Sequence, residues 1–244
     1  MNILALDTAT EKLSVALGTG RDTLLFEASG GVRGATMLRS TAALRSATML
    51  RSTAAPRHSE LLMDCIDLLM QKAGLKPEEL TGIVCTGGPG SFTGLRIGFA
   101  LAKGLALSLG IPFAPIPTLD CMAQPFSSWP GITVPVIDAK KSAFFCAFYR
   151  NGQKLCPDMD AAPDAILKMG NKEPMLLIGP GAELLYEKLP AAENIIPGSA
   201  LRYGNAETLL EMAAAADIFA SSNSSLFAGP EYIRKSDAEI QMNK

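Results

Sequence analysis

Residues 86–98 read TGGPGSFTGLRIG, and the rest of the chain is organised around them. The preceding TGIVC is a short apolar run bounded by turn residues, which predicts a buried strand. Leu95–Leu109 carries only Arg96, Lys103 and Ser108 as polar residues, which predicts a helix covered on most of its sides. The turn between them concentrates Gly87, Gly88, Gly90 and Gly94 around Pro89. A turn of this kind can aim backbone N–H groups at an anion beside a helix N-terminus. It is neither a P-loop, since no Lys-Ser/Thr pair follows a GxxxxG, nor a GxGxxG fingerprint. The simpler reading is a tight strand-to-helix turn capped by Ser91 or Thr93.

Gly94, Gly98, Ala102 and Ala106 put small residues at every fourth position of that helix. They form a groove in which another helix can approach closely. A second helical pattern, His58–Ala73 ended by Gly74, carries one polar stripe of Glu60, Asp64, Asp67 and Gln71. Two readings stay open: both helices are deep core, or together they offer an apolar face to a partner.

Outward from this pair the chain reads βββ-α-β-α and then strands and helices again. NILALDT, KLSVALG and DTLLFEAS predict an antiparallel meander. After Gly110, GIPFAPIP predicts a strand, and Thr118 a cap for a helix at LDCMA. The stretch from ITVPVID to NGQKL predicts two or three strands, LLIGPGAELLYEKL a strand, turn and helix, and 205–220 an Ala-rich helix. The expected class is α/β with two similar halves. The expected boundaries are 1–110 for an N-terminal lobe completed by the helix at 205–220, 111–204 for a C-terminal lobe, and 221–244 for a tail. Asp7 and Thr8 stand at the end of the first strand, and Asp138 at an equivalent strand end in the second half. Facing carboxylates there would suit a phosphate-binding cleft. Ordinary turn chemistry of Asp accounts for each one separately.

The bulk numbers bound the function. The chain has 244 residues, 48% of them hydrophobic, and a formal net charge of −2, which does not suit a polyanion binder. Five cysteines without metal-type spacing predict free thiols in a reducing compartment. The N-terminus lacks a signal-peptide pattern, and the apolar segment around 97–109 reads as too short to cross a bilayer, so a cytoplasmic protein is expected. The single histidine, His58, excludes any site that needs two. One feature stands apart: RGATMLRSTAAL followed by RSATMLRSTAAP, residues 33–56, with an arginine every six residues. It is either a tolerated expansion in a surface loop or a set of phosphate contacts for RNA.

ILALDTATEKLSVAL, PRHSELL, GGPGSFTGLRIGFALAKGLA, IPTLDCMA, VIDAKKSAFFCAFY and PEYIRKSDAE, in that order, resemble the TsaB (YeaZ) family of bacterial tRNA threonylcarbamoyladenosine synthesis. The resemblance covers most of the chain outside 32–55. It implies the fold of actin, Hsp70 and sugar kinases, with two ribonuclease-H-like lobes. It implies a non-catalytic partner of TsaD, the glycoprotease-like (Gcp-like) relative that transfers threonylcarbamoyl to the adenosine after the anticodon. TsaD carries a two-histidine metal site that this chain cannot build, so no catalytic residue and no metal are expected. The family's dimer contact maps onto Leu62, Ile66 and Leu69 of the first helix. In the second it maps onto Arg96, Gly98, Phe99, Ala102, Lys103 and Ala106. The resemblance further implies a TsaE-like ATPase as third partner, tRNA met through the complex, a homodimer in isolation, and no membrane. No cofactor is required, with nucleotide bound only in the complex. The competing reading is an ATP-dependent small-molecule kinase or phosphotransferase of the same fold. Such kinases follow the first aspartate with a glycine-containing loop, and DTATEK has no glycine.

Overall fold

The computed structural model describes residues 1–19, 23–29, 35–40, 48–51, 58–190, 193–198, 204–215, 218–219 and 229–234. Its first sheet holds β1 (Ile3–Asp7), β2 (Lys12–Gly18), β3 (Thr23–Ser29), β4 (Ala35–Ser40), β5 (Thr48–Arg51), β6 (Gly82–Thr86) and β7 (Phe113–Ile116). The strand order is β5-β4-β3-β2-β1-β6-β7, antiparallel through the hairpins and parallel at β1/β6 and β6/β7. The expected meander is β1–β3.

Period-two alternation assigns the faces of this sheet. Leu4 and Leu6 of β1 point to one side, where α1 (His58–Ala73) and α2 (Phe92–Leu109) supply Leu62, Leu69, Phe99 and Ala106. Ile3 and Ala5 point to the other, against Leu209, Leu210 and Ala213 of α6 (Ala206–Ala215). Of the 205–220 expected as helix, Ala206–Ala215 is helical and 218–219 form a turn, while 216, 217 and 220 lie outside the described residues.

The second sheet is built on β8 (Ile132–Asp138), β9 (Phe144–Cys146), β10 (Tyr149–Arg150), β11 (Gln153–Lys154), β12 (Met159–Ala161), β13 (Met175–Ile178) and β14 (Ile195–Pro197). The block expected to hold two or three strands holds four, because β9 and β10 are two pieces of one strand along the same edge of β8. β12 and β11 pair with those pieces, while β13 and β14 continue in parallel on the other side. Each half thus has a central strand with an antiparallel hairpin on one edge and two parallel strands on the other. This repeated connectivity makes the two halves alike where their sequences do not. Around the second sheet lie α3 (Thr118–Ala123), α4 (Pro163–Met169) and α5 (Ala182–Lys188). α3 packs on β8 and also touches α6, joining the halves.

The arginine repeat is not simply a loop. Its two copies contribute β4 and β5, which pair with each other around Met37 opposite Met49, the same position of the repeat. Arg39 lies in β4 and Arg51 ends β5; Arg33, Arg45 and Arg57 lie outside the described residues.

Candidate functional site

The TGGPGSFTGLRIG turn joins β6 to α2, and its cap is Ser91, whose hydroxyl accepts the Gly94 N–H at 3.2 Å. Helix α2 therefore starts at Phe92, three residues before the sequence pattern suggests. Thr93 is exposed and does not cap. Thr118 does not cap α3 either; its hydroxyl accepts the Gly88 N–H while its own N–H donates to the Gly88 carbonyl at 2.7 Å.

The first turn of α2 is pressed onto the end of β1. The Thr8 hydroxyl donates to the Gly94 carbonyl at 2.7 Å, and the Ser91 N–H to the Ala9 carbonyl at 2.6 Å. A Cβ on Gly94 would collide with the Thr8 carbonyl, and one on Gly98 with the Thr8 hydroxyl. Gly94 and Gly98 permit this approach of the helix to its own β1–β2 turn, and Ala102 and Ala106 are buried in the core that α2 shares with α1 and the sheet. That corrects the expected groove for a partner. Leu62, Ile66, Leu69, Gly98, Phe99, Ala102 and Ala106 are all buried inside this half. Of the interface residues read from the sequence, only Arg96 and Lys103 reach solvent, because the helical stripe that looks most packable is the one already packed.

Length alone does not exclude α2 as a membrane span, as the sequence reading had it: its 18 residues are long and apolar enough to cross one. A third of it is buried against the sheet and α1. The other faces carry Ile97, Ala100, Leu101, Gly104, Leu105 and Leu107, fully or partly exposed, with Leu107 at 66%. The polar stripe of α1 (Glu60, Asp64, Asp67, Gln71) is exposed as expected. The side chain of His58 is not among the described ones.

Asp7 is completely buried. One carboxylate oxygen accepts the Ala9 N–H and the Thr86 hydroxyl, both at 3.1 Å. The other accepts the backbone N–H and side-chain amide of Asn205 at 3.0 and 2.9 Å. Two hydrogen bonds per oxygen use the acceptor capacity of a carboxylate. Desolvation outweighs these bonds and holds the Asp7 pKa above its usual 3.8. A carboxylate so engaged does not fit a magnesium ligand or a phosphate-bound water.

Asp138 also differs from the expectation of a facing pair. It lies in a cleft of about 830 Å³ between the halves, with Ser91, Phe92, Phe145 and Tyr232 among its walls. Asp7 instead borders a separate cavity of about 200 Å³ beside Asn205 and Cys121. Asp138 accepts the Lys140 N–H at 2.8 Å and pairs with the Lys140 ammonium at 2.7 Å, which lowers its pKa. Its role in the structure is a turn anchor.

Two contacts lie beyond what the sequence reading placed, although PEYIRKSDAE is among the stretches that carry the family resemblance. Asn205, before α6, closes on Asp7 over 198 residues. Residues 231–234, part of the expected free tail, dock onto both halves instead of leaving the surface. The Glu231 N–H donates to the Gly87 carbonyl at 2.8 Å, and Arg234 grips Asp160 at 2.7 and 2.8 Å.

The architecture is matched by a solved structure, YeaZ from Pseudomonas aeruginosa, with a TM-score of 0.69 over 95% of this chain and all of that one, at 23% identity. The family of TsaD, tRNA N6-adenosine threonylcarbamoyltransferase, matches residues 49–242. The tRNA threonylcarbamoyladenosine biosynthesis protein TsaB of Bacillus subtilis is 29% identical over 73% of this chain and 71% of its own length. The chain belongs to the TsaB (YeaZ) family. Its fold is that of the actin, Hsp70 and sugar-kinase class, with two ribonuclease-H-like halves. The TsaB protein of Escherichia coli is 31% identical over 63% of this chain, which spans 57% of that relative. The match to the TsaD family starts at residue 49, inside the second copy of the repeat.

Proposed function

We propose that this chain is the accessory subunit that pairs with and activates a TsaD-type transferase in forming N6-threonylcarbamoyladenosine next to the tRNA anticodon. The observation that carries the reading is the outer face of α2. With Gly94 and Gly98 packed against Thr8 and Ala102 and Ala106 in the core, two-thirds of the helix is still not buried. That remainder holds the exposed Ala100, Gly104 and Leu107 and the outer edges of the half-buried Ile97, Leu101 and Leu105, with Arg96 and Lys103 as its only charges. An apolar helix face of this kind on a protein fits a protein partner. TsaB proteins carry the name of the same pathway as the transferase, and the family profile matched here is the transferase's own. The contact therefore runs over the outward residues of α1 and α2 rather than the buried stripe. A TsaE-like ATPase, tRNA reached through the complex, and a homodimer in the absence of TsaD belong to the same reading, as does a cytoplasmic setting.

The competing reading, a kinase of this fold, finds less support, because Asp7 is committed to four protein donors.

Co-purification of the full chain with the TsaD candidate of the same genome tests the proposal. Leu107→Glu and Ala100→Arg, both at exposed positions, are expected to abolish the complex while the chain stays folded. A complex that survives both substitutions, or none with the unaltered chain, sinks the reading. Gly98→Arg is the wrong probe, since it would drive a side chain into Thr8.

A further inference from the structure

The cleft between the halves is closed by contacts on one side and bridged on the other. At the closed side α3 meets α6, and Asp7 holds Asn205. Across the mouth runs the segment 231–234. It is tied to the first half by the Glu231 N–H on the Gly87 carbonyl. Gly88, at φ +112°, leaves the space that the Glu231 carbonyl occupies. The Tyr232 ring lies 4.8 Å from that of Phe92, and its hydroxyl accepts Arg96 Nε at 3.1 Å. It is tied to the second half by Arg234, which forks onto both oxygens of Asp160 and donates to the Ala139 carbonyl at 2.8 Å.

We propose that residues 231–234 are a latch that sets how far the two halves open over the 830 Å³ cleft. The latch is built to release. Tyr232 is 39% exposed, the Arg234–Asp160 pair keeps about a quarter of each side chain in solvent, and none of the four residues is buried. Contacts of this kind open at a small fraction of the cost of global unfolding. Beneath them is open volume rather than packed core, so the halves have room to move. Tyr232 binds Phe92 and Arg96 in the first two turns of α2. The latch is therefore anchored on the helix whose outer face is free. The inference concerns the isolated chain and does not depend on which partner α2 meets.

Hydrogen exchange read by mass spectrometry on the full chain tests it, with Arg234→Ala and Tyr232→Ala as separate variants. The expected result is exchange about tenfold faster in residues 9–11 and 137–141, which line the cleft from opposite halves, with β1 and β6 unchanged. The reciprocal pair Arg234→Asp with Asp160→Arg is expected to restore part of the protection there, since it renews the ion pair but not the bond to the Ala139 carbonyl. Faster exchange confined to 229–234 overturns the proposal, since the segment would then be fastened to halves that do not move. An even rise across β1 and β6 also overturns it, because the contact would then serve overall stability.

Discussion

The amide of Asn205 and its backbone N–H both donate to one oxygen of the Asp7 carboxylate, at 2.9 and 3.0 Å, and so fasten the start of α6 to the end of β1. Breaking this pair leaves a buried carboxylate short of donors. Asn205→Ala is expected to cost about 1–3 kcal/mol in urea unfolding. The pH dependence follows from the raised pKa of Asp7. The folded state holds the proton more tightly than the unfolded chain, so this group's contribution is fully present below 3.8 and is lost as pH rises through the folded pKa. The stability of the wild type relative to the non-titrating Asp7→Asn therefore falls as pH rises above 3.8. A difference that grows with pH would contradict the buried, desolvated state of the carboxylate.

Gly98 is a packing residue. Gly98→Ala places a methyl group against the Thr8 hydroxyl and is expected to destabilise by about 1–3 kcal/mol. Thr8→Ala costs about 1 kcal/mol by itself, through loss of its bond to the Gly94 carbonyl. Combined with Gly98→Ala, it costs less than the sum. Additive costs in the double-mutant cycle would show that the two residues do not meet.

The two faces of the α1–α2 layer are expected to respond in opposite ways. Leu69 is fully buried, and Leu69→Ala should lose about 2–5 kcal/mol of stability whatever partner is present. Leu107→Ser, at a position 66% exposed, should change stability by no more than about 0.5 kcal/mol while weakening the complex. Paired thermal melts and pull-downs of the two variants separate core from contact surface.

Thiol reactivity should single out one cysteine. Cys65, Cys85, Cys121 and Cys146 are buried and Cys156 is partly exposed. Burial pushes the Cys65 and Cys146 thiols up to about 12, and it raises those of Cys85 and Cys121 as well. In native buffer near neutral pH, one equivalent of Ellman's reagent is expected to react rapidly, at Cys156, and the rest only after denaturation. Rapid reaction of a second thiol would show that one of these interiors is open.

Removing residues 33–56 takes away β4 and β5, but β3 keeps its partner β2. The remaining strands retain their faces on α1 and α6. The shortened chain is expected to fold, and to leave the tRNA affinity of the complex and its salt dependence unchanged. A shallower salt slope would show that the repeat's arginines meet phosphate.

Local signals carried much of the fold. The polar stripe of α1 follows from the spacing of Glu60, Asp64, Asp67 and Gln71, and its end from Gly74, which adopts φ +67°. The β1–β3 meander follows from apolar runs and the turns between them. The site was less legible. Asp7 and Asp138 share a position at strand ends, yet strand ends do not say which cavity a carboxylate borders. Small residues at every fourth position announce a close contact and leave its partner unnamed.

What the sequence by itself determined is the β1–β3 meander, the helices α1 and α2, and that the TGGPGSFTG turn must hold a strand tightly to a helix, whereas β4 and β5 fall where it predicts no strand. These rest on periodicity, capping and turn chemistry within a few residues. Only the tertiary structure decided that the small stripe of α2 turns inward to Thr8 and that Asp7 belongs to Asn205. It also decided that residues 231–234 fold back across the cleft. Each of these pairs groups far apart in the chain, and such pairings are selected by the packing of the whole molecule.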